Sequence, residues 1–379
     1  MLKGRDLTTF RRQLLAWFRQ YQRDLPWRRT KDPYRVWLSE IMLQQTRVAA
    51  VIPYYERFLA HFPDIHALAA APQEEVLRLW SGLGYYSRAR NLHRAAQEIV
   101  AKHGGLFPRA EQDALELSGI GSYTAAAILS IAYGAKHAVL DGNVARVLAR
   151  LFAVQGDLRD AKHWSSLQES ANALLDSKSP GDWNQAMMEL GATLCTPQTP
   201  QCLLCPVAQF CQARKLGLAD SLPVRRKKRA TEKIVLAAAV LLDPRGRTLL
   251  LPPPAMPRGQ TIHARVSVLV SKLWHFPTIG VRTDPVAELQ AHLDKILPPS
   301  SAKEPLELEP LPAARHAVTY RAITLRTFRI RVPQLPRVPA AKTIPLSDIA
   351  SPSSMPISNL TRKAARAALA APAALSARA

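Results

Sequence analysis

From residue 7 to about residue 214 apolar positions recur at helical spacing, in segments closed by Pro26, Pro33, Pro53, Pro63, Pro72, Pro108 and the pair Gly104-Gly105. The first segment puts Phe10, Leu14, Trp17 and Tyr21 on one face, which predicts an amphipathic helix. After the basic stretch "PVRRKKRATEK" the period changes to that of strands: "IVLAAAVLL", a "DPRG" turn, "RTLLL", "ARVSVLV", and "RTFRIRV", where Phe328, Ile330 and Val332 alternate with Arg329 and Arg331. One helical pattern, "PVAELQAHLDKIL" (285–297), interrupts these strands. The pattern predicts a mainly α domain over 1–214, a basic solvated linker over 215–233, an α+β domain over 234–350, and a tail over 351–379. That tail is Ser/Pro-rich, then Ala-rich and basic, and is expected to be a poorly ordered end.

Charges run through the first twenty residues, where a signal peptide would be apolar, and the run Ile234 to Leu242 is too short to span a bilayer. A location in the cytoplasm or on the nucleoid, with no membrane partner, is therefore expected. Of the 379 residues, 47% are hydrophobic, enough for globular cores, while 51 Lys+Arg oppose 29 Asp+Glu for a net charge of +22. Such a field attracts a polyanion, and nucleic acid is the expected partner. All four cysteines, Cys195, Cys202, Cys205 and Cys211, fall in one short stretch, which reads as one site and not as a disulfide framework. Their spacing contains only one tight pair, whereas structural zinc usually takes two. A [4Fe–4S] cubane fits this irregular loop better, with zinc as the alternative. No flavin or nicotinamide motif accompanies it, so the cluster is read as structural.

In "LSGIGSYTAA", Gly119 and Gly121 flank Ile120 in a turn that leads into an apolar helix over residues following 121. Backbone N–H groups freed there suit a DNA phosphate; a plain helix–helix turn is the alternative. In "VLDGNVARVLARL", Asp141 stands where a helix N-cap belongs, a position that favours the ionised carboxylate and is expected to keep Asp141 anionic at neutral pH. Glu40, in "YRVWLSEIMLQQTRV", shares a helix face with Val36, Trp37, Leu43 and Gln44. On the surface it would be an ordinary solvated charge. Buried, it would hold its proton, and the two carboxylates would divide acid and anion roles.

Together, "LPWRRTKDPYRVWLSEIMLQQTRV", "GLGYYSRARNLH", "LSGIGSYTAAAILS", "LDGNVARVLAR" and the cysteine loop over 195–211 resemble, in order, the helix-hairpin-helix DNA glycosylases of the MutY adenine-specific type. The likeness runs from about Leu7 to Cys211, with the hairpin at 117–121. It implies a helix-hairpin-helix glycosylase domain with a [4Fe–4S] loop, followed by a Nudix-like α+β domain that is more weakly similar, through "KLWHFP" (272–277) and "ARHAVTYR" (314–321). The glutamate cluster of Nudix hydrolases is absent, so nucleotide pyrophosphatase activity is not implied.

The resemblance implies removal of adenine mispaired with 8-oxoguanine or guanine in double-stranded DNA, by a monomer. Glu40 matches the general acid and Asp141 the catalytic aspartate, with Asn143 and Tyr123 supporting the sugar. Gln45 and Tyr85 match residues that wedge into the base stack, and Trp27, Arg28 and Gln185 the wall of the adenine pocket. Tyr123 stands where related lyases carry a Schiff-base lysine, which implies a monofunctional enzyme. Val318-Thr319-Tyr320 replaces the family's Phe-Ser-His at the lesion, with Thr319 keeping a hydroxyl. An endonuclease III-like lyase acting on oxidised pyrimidines, and a non-catalytic lesion-binding protein, are the alternatives.

Overall fold

The computed structural model describes residues 2–158, 160–224, 230–252, 273–297, 306–318, 320–350 and 357–371. The chain forms two compact units, Met1–Ala71 with Tyr85–Lys227, and Pro72–Gly84 with Lys228–Ala379. The helices of the described residues are, in chain order, α1 (Gly4–Tyr21), α2 (Pro33–Leu43), α3 (Val48–His61), α4 (Ile65–Ala70), α5 (Gln73–Trp80), α6 (Ser87–His103), α7 (Glu111–Glu116) and α8 (Ser122–Tyr133). They continue with α9 (Gly142–Leu151), α10 (Ala161–Leu174), α11 (Pro180–Thr193), α12 (Gln212–Lys215), α13 (Pro285–Ile296), α14 (Leu346–Ala350) and α15 (Asn359–Ala370).

Local chemistry sets many of the boundaries in the first unit. Asp32, Asp64, Asp141 and Asp160 each accept backbone N–H bonds at the start of α2, α4, α9 and α10. Gly104 and Gly134, both left-handed, end α6 and α8. Phe10, Leu14, Leu15 and Phe18 of α1 join a core with Trp183, Met187 and Leu190 of α11 and Val144 and Leu148 of α9. The expected stripe on α1 is therefore displaced by part of a turn: Tyr21 is 62% exposed and Phe18 fills the place below Leu14. The apolar α8 packs between α2 and α11, which seats the residues after the hairpin at the centre of the unit.

The second unit is built on one sheet of six strands, β1 (Glu232–Leu242), β2 (Arg247–Leu250), β3 (Thr278–Gly280), β4 (Glu309–Val318), β5 (Arg321–Arg331) and β6 (Lys342–Pro345), in the order β4-β5-β1-β2-β6 with β3 also on β1. Among the named strands of the described residues only the β1–β5 pair is parallel. The period-two rule divides the core: Leu236, Ala238 and Val240 face the layer of α15, while Ala237, Ala239 and Leu241 face that of α13. The expected strand "ARVSVLV" and linker residues 225–229 lie outside the described residues. Among the described residues no helix is long and apolar enough to cross a membrane.

Two features depart from the sequence reading. Residues 359–370, expected to be part of a poorly ordered end, form α15, whose Leu360, Ala364, Ala365 and Ala368 are buried in the same core as Leu236. The alanines there allow close packing on the sheet. Residues 72–84, expected within an uninterrupted helical domain, cluster with the second unit. There Ser81 Oγ accepts a 2.7 Å bond from Arg362 and donates to Ile357 O, and Lys342 pairs with Glu74.

Arg329, 3% exposed, holds this unit's interior together. It makes a forked bond to Glu309 (2.7 and 2.5 Å) and donates to Ala371 O at 2.9 Å and Ala368 O, the free carbonyls at the end of α15. Glu309→Gln should lower the unfolding free energy of this unit by about 2 kcal/mol, less than the full cost of orphaning a buried charge because the helix-end carbonyls remain. Urea unfolding of the full chain measures it, and the pair Glu309→Leu with Arg329→Met should recover most of the loss.

Candidate active site

Glu40 sits in the last full turn of α2, with Trp37 and Ile41 buried beside it, and is itself only 7% exposed. Its carboxylate accepts a 2.7 Å hydrogen bond from Tyr123 Oη, in the first turn of α8, so the α2–α8 packing is what joins the two side chains. Opposite them Asp141 caps α9. Its Oδ1 accepts from Asn143 N (3.0 Å) and Val144 N (2.7 Å), and its Oδ2 accepts from Asn143 Nδ2 (3.0 Å). α11 closes the fourth side. It approaches α9 through Gly191, where an added Cβ would lie 2.7 Å from Asn143 Cβ and would push the Asp141 turn away.

These elements enclose a cavity of about 570 Å³, lined among others by Trp27, Arg28, Glu40, Gln45, Tyr123, Asp141, Asn143 and Gln185. Every residue of the sequence reading that was assigned to the base pocket or the sugar is thus brought to one place. Burial pushes the Glu40 carboxyl up to about 7, against the hydrogen bond from Tyr123, with the Asp141 charge adding to the rise. Burial also raises Tyr123, helped by the charges of Glu40 and Asp141, so the phenol remains a proton donor in this bond. The helix N-terminus does not bring Asp141 below its ordinary value. Burial raises Asp141 as well, and its hydrogen bonds from Val144 and Asn143 oppose that rise without cancelling it.

Glu189 also lines this cavity and was missed by the sequence reading. It is 1% exposed, accepts from Arg23 N, Nε and Nη2 (3.1, 2.8 and 2.7 Å), and from Arg28 Nη2 (2.7 Å). Burial would raise this carboxyl, but the arginine hydrogen bonds outweigh it and hold it down to about 2. Glu189 therefore fixes the guanidinium of Arg28 that faces the pocket. The signal was available: Glu189 follows Gln185 by one helical turn on the same face. Arg146 was missed too. It donates to Asn143 Oδ1 (2.8 Å), Gly191 O (2.8 Å) and Cys195 O (2.8 Å), linking the support of Asp141 to the first cysteine.

A second cavity of about 220 Å³ is lined by Gln45 and Tyr85 together with Arg88, Asn91 and Gly119. Gln45 (φ 56°) and Tyr85 (φ 50°) both adopt the left-handed conformation that favours glycine, a strained state that is kept where the side chain must point one way. In the hairpin, Gly119 has φ 80° and lies against Asn91, where a Cβ would come within 2.6 Å of the Asn91 Cβ; Gly121 is the N-cap of α8 with an ordinary φ. Thr319 lies outside the described residues.

Cys195, Cys202, Cys205 and Cys211 are free and line one small cavity with Arg150. Among the described residues no group of three or more His, Cys, Asp or Glu is arranged to hold a single metal ion. Arg150 is 1% exposed and donates to Cys195 Sγ (3.3 Å), Thr196 O (2.7 Å) and Leu222 O (2.8 Å); its Nη2 is buried with no hydrogen-bond partner among the described residues. A buried cation that lines this cavity, donates to one of its thiols and keeps an unmet donor fits an anionic iron–sulfur group held by thiolates.

Residues 38–171 match the family model described as HhH-GPD superfamily base excision DNA repair protein. The chain is 48% identical over 219 residues to an adenine DNA glycosylase of Homo sapiens, covering 55% of this chain and 40% of that protein. It is 40% identical over 227 residues to one of Buchnera aphidicola subsp. Acyrthosiphon pisum, covering 59% and 65%. The chain thus spans less than two thirds of the length of either relative. Among solved structures it is similar to a thermostable thymine-DNA glycosylase, with 29% identity, a TM-score of 0.51, and coverage of 56% of this chain and 97% of that one. Over residues 38–171 the helical unit thus carries an HhH-GPD domain, the domain of a superfamily of base excision DNA repair proteins.

Proposed function

We propose that the protein is a monofunctional adenine DNA glycosylase that acts, as a monomer on nucleoid DNA, on adenine opposite 8-oxoguanine or guanine. The observation that carries the reading is the pairing of a buried, proton-holding Glu40 with Asp141 across one cavity. The relatives in mammals and in Buchnera are adenine DNA glycosylases, which selects adenine as the base.

Cleavage of the bond between adenine N9 and C1′ leaves electrons on the base and positive charge on the sugar. Glu40 donates its proton to N7, so adenine departs neutral. Asp141, with its carboxylate fixed by Asn143 and Val144, faces the developing oxocarbenium ion and stabilises it by charge. Water then adds to C1′ and its proton returns to a carboxylate, giving free adenine and an abasic site. Trp27 and Arg28, the latter anchored by Glu189, and Gln185 bound the base. Among the described residues no lysine lines this cavity, and Tyr123, a phenol, has no amine with which to form a Schiff base. Gly119 and Gly121 hold a phosphate of the same strand, and Thr319 supplies a hydroxyl to the opposite base. A [4Fe–4S] group on Cys195, Cys202, Cys205 and Cys211 would cross-link the loop beside α9 and order it. Arg150 would balance its charge, and Arg146 would carry the order of that loop to Asn143.

The proton-donor role sets the pH dependence. The donating form is the protonated one, so the single-turnover rate of adenine release should be level well below pH 7 and fall about tenfold per unit above it. Glu40→Gln should remove that dependence, lower the rate at least about 100-fold, and leave duplex affinity nearly intact. A near-normal rate for this variant, on duplexes with A opposite 8-oxoguanine, G, C or T, would end the assignment.

Borohydride added during turnover should trap little enzyme–DNA adduct, and strands should break only after alkali. Efficient trapping at the rate of base release would point to a lyase instead.

Protein isolated anaerobically should be yellow-brown, with about four iron and four sulfide per chain. Stoichiometric zinc without sulfide would refute the cluster.

A further inference from the structure

α6 starts just after Tyr85, and its first turn folds back on the end of α2. There Arg88, buried, sends Nη1 to 3.0, 2.8 and 2.5 Å from the carbonyl oxygens of Ile41, Met42 and Gln44, and Nη2 to 3.1 Å from Thr46 Oγ1. These are the carbonyls that a helix end leaves without partners, and a cation belongs at that pole of the helix. The same guanidinium stands 5.3 Å from the centre of the Tyr85 ring. One side chain thus grips the turn that carries Gln45 and the ring of Tyr85, both held at positive φ. Further along α6, Asn91 abuts Gly119, and Glu98 accepts from Ser118 N (2.8 Å) and Oγ (2.7 Å). A single rigid helix therefore sets the spacing between this turn and the hairpin.

We infer that Arg88 is a positioning residue for base extrusion: it holds Gln45 and Tyr85 side by side at the second cavity so that they enter the stack as one unit. The inference rests on the glycosylase reading. Of these two cavities Arg88 lines the second and not the one that holds Glu40, so its loss acts on extrusion and leaves the protonation of the acid alone. Lysine keeps the charge but cannot span three carbonyls and a hydroxyl with a planar fork.

The test uses the full chain and a duplex carrying 2-aminopurine at the target position, opposite 8-oxoguanine, whose fluorescence rises when the base leaves the stack. In a Glu40→Gln background, adding Arg88→Met should cut that rise by roughly tenfold while duplex affinity stays within about threefold. With Glu40 present, Arg88→Met should slow adenine release in the same proportion and keep the midpoint of the pH profile, which a general loss of structure would not do. Arg88→Lys should lose part of the rise, and it decides the matter if Arg88→Met does not fold. An undiminished rise in either variant would overturn the role given to Arg88. If the unaltered protein neither releases adenine nor raises fluorescence on any duplex, the glycosylase reading fails and this inference with it.

Discussion

A carboxylic acid shut away from water is the condition on which the first unit turns. Glu40 keeps its proton near neutral pH because the α2–α8 packing excludes solvent, and the Tyr123 hydrogen bond aims the group without reversing that effect. Its burial is a cost to folding at high pH, since the folded carboxyl titrates near 7 and the unfolded one near its ordinary value. Stability from this site is complete below the unfolded value and is lost as pH rises toward 7. The fold tolerates that cost at the place where the proposed reaction calls for a proton donor, and Gly191 keeps Asp141 close enough to share the cavity.

The three carboxylates around that cavity show how the same burial gives different outcomes. Glu40 meets one neutral donor and rises. Asp141 meets backbone and amide donors and rises against them. Glu189 meets two guanidinium groups and falls to about 2. Partner identity, more than depth, decides which carboxyl carries a proton. Glu189 is accordingly a fixed anion that orients Arg28, not a second acid.

The net charge of +22 also divides in a way that composition does not reveal. Part of it is interior. Arg88 caps the end of α2, Arg150 faces the cysteine cavity, and Arg329 caps α15 while pairing with Glu309. Planar guanidinium groups suit this use because one side chain can serve several carbonyls at a helix end. The remaining surplus is what can attract a polyanion.

Much of this was legible along the chain. Helical and alternating periods separated the two kinds of unit, Asp141 announced a helix start, and the 6-2-5 cysteine spacing marked one site. These signals are local, read over a few residues, so the sequence alone determines them. The wrong expectations were also local. The Ala-rich end looked uncommitted because alanines show no strong stripe, yet their small size is what lets α15 pack on the sheet. Residues 72–84 read as one more helix of the first domain, since helix periodicity carries no information about which core receives the apolar face. Glu189, Arg146 and Arg88 had helical positions but no visible partners. Their roles came mainly from contacts between residues far apart along the chain, such as Arg23 with Glu189 and Arg88 with Met42. The sequence determined which side chains were present and the local elements that carry them. Only the tertiary structure decided which were deprived of water and which cation faced which carboxylate, because desolvation and Coulomb interaction depend on distance through space and not along the chain.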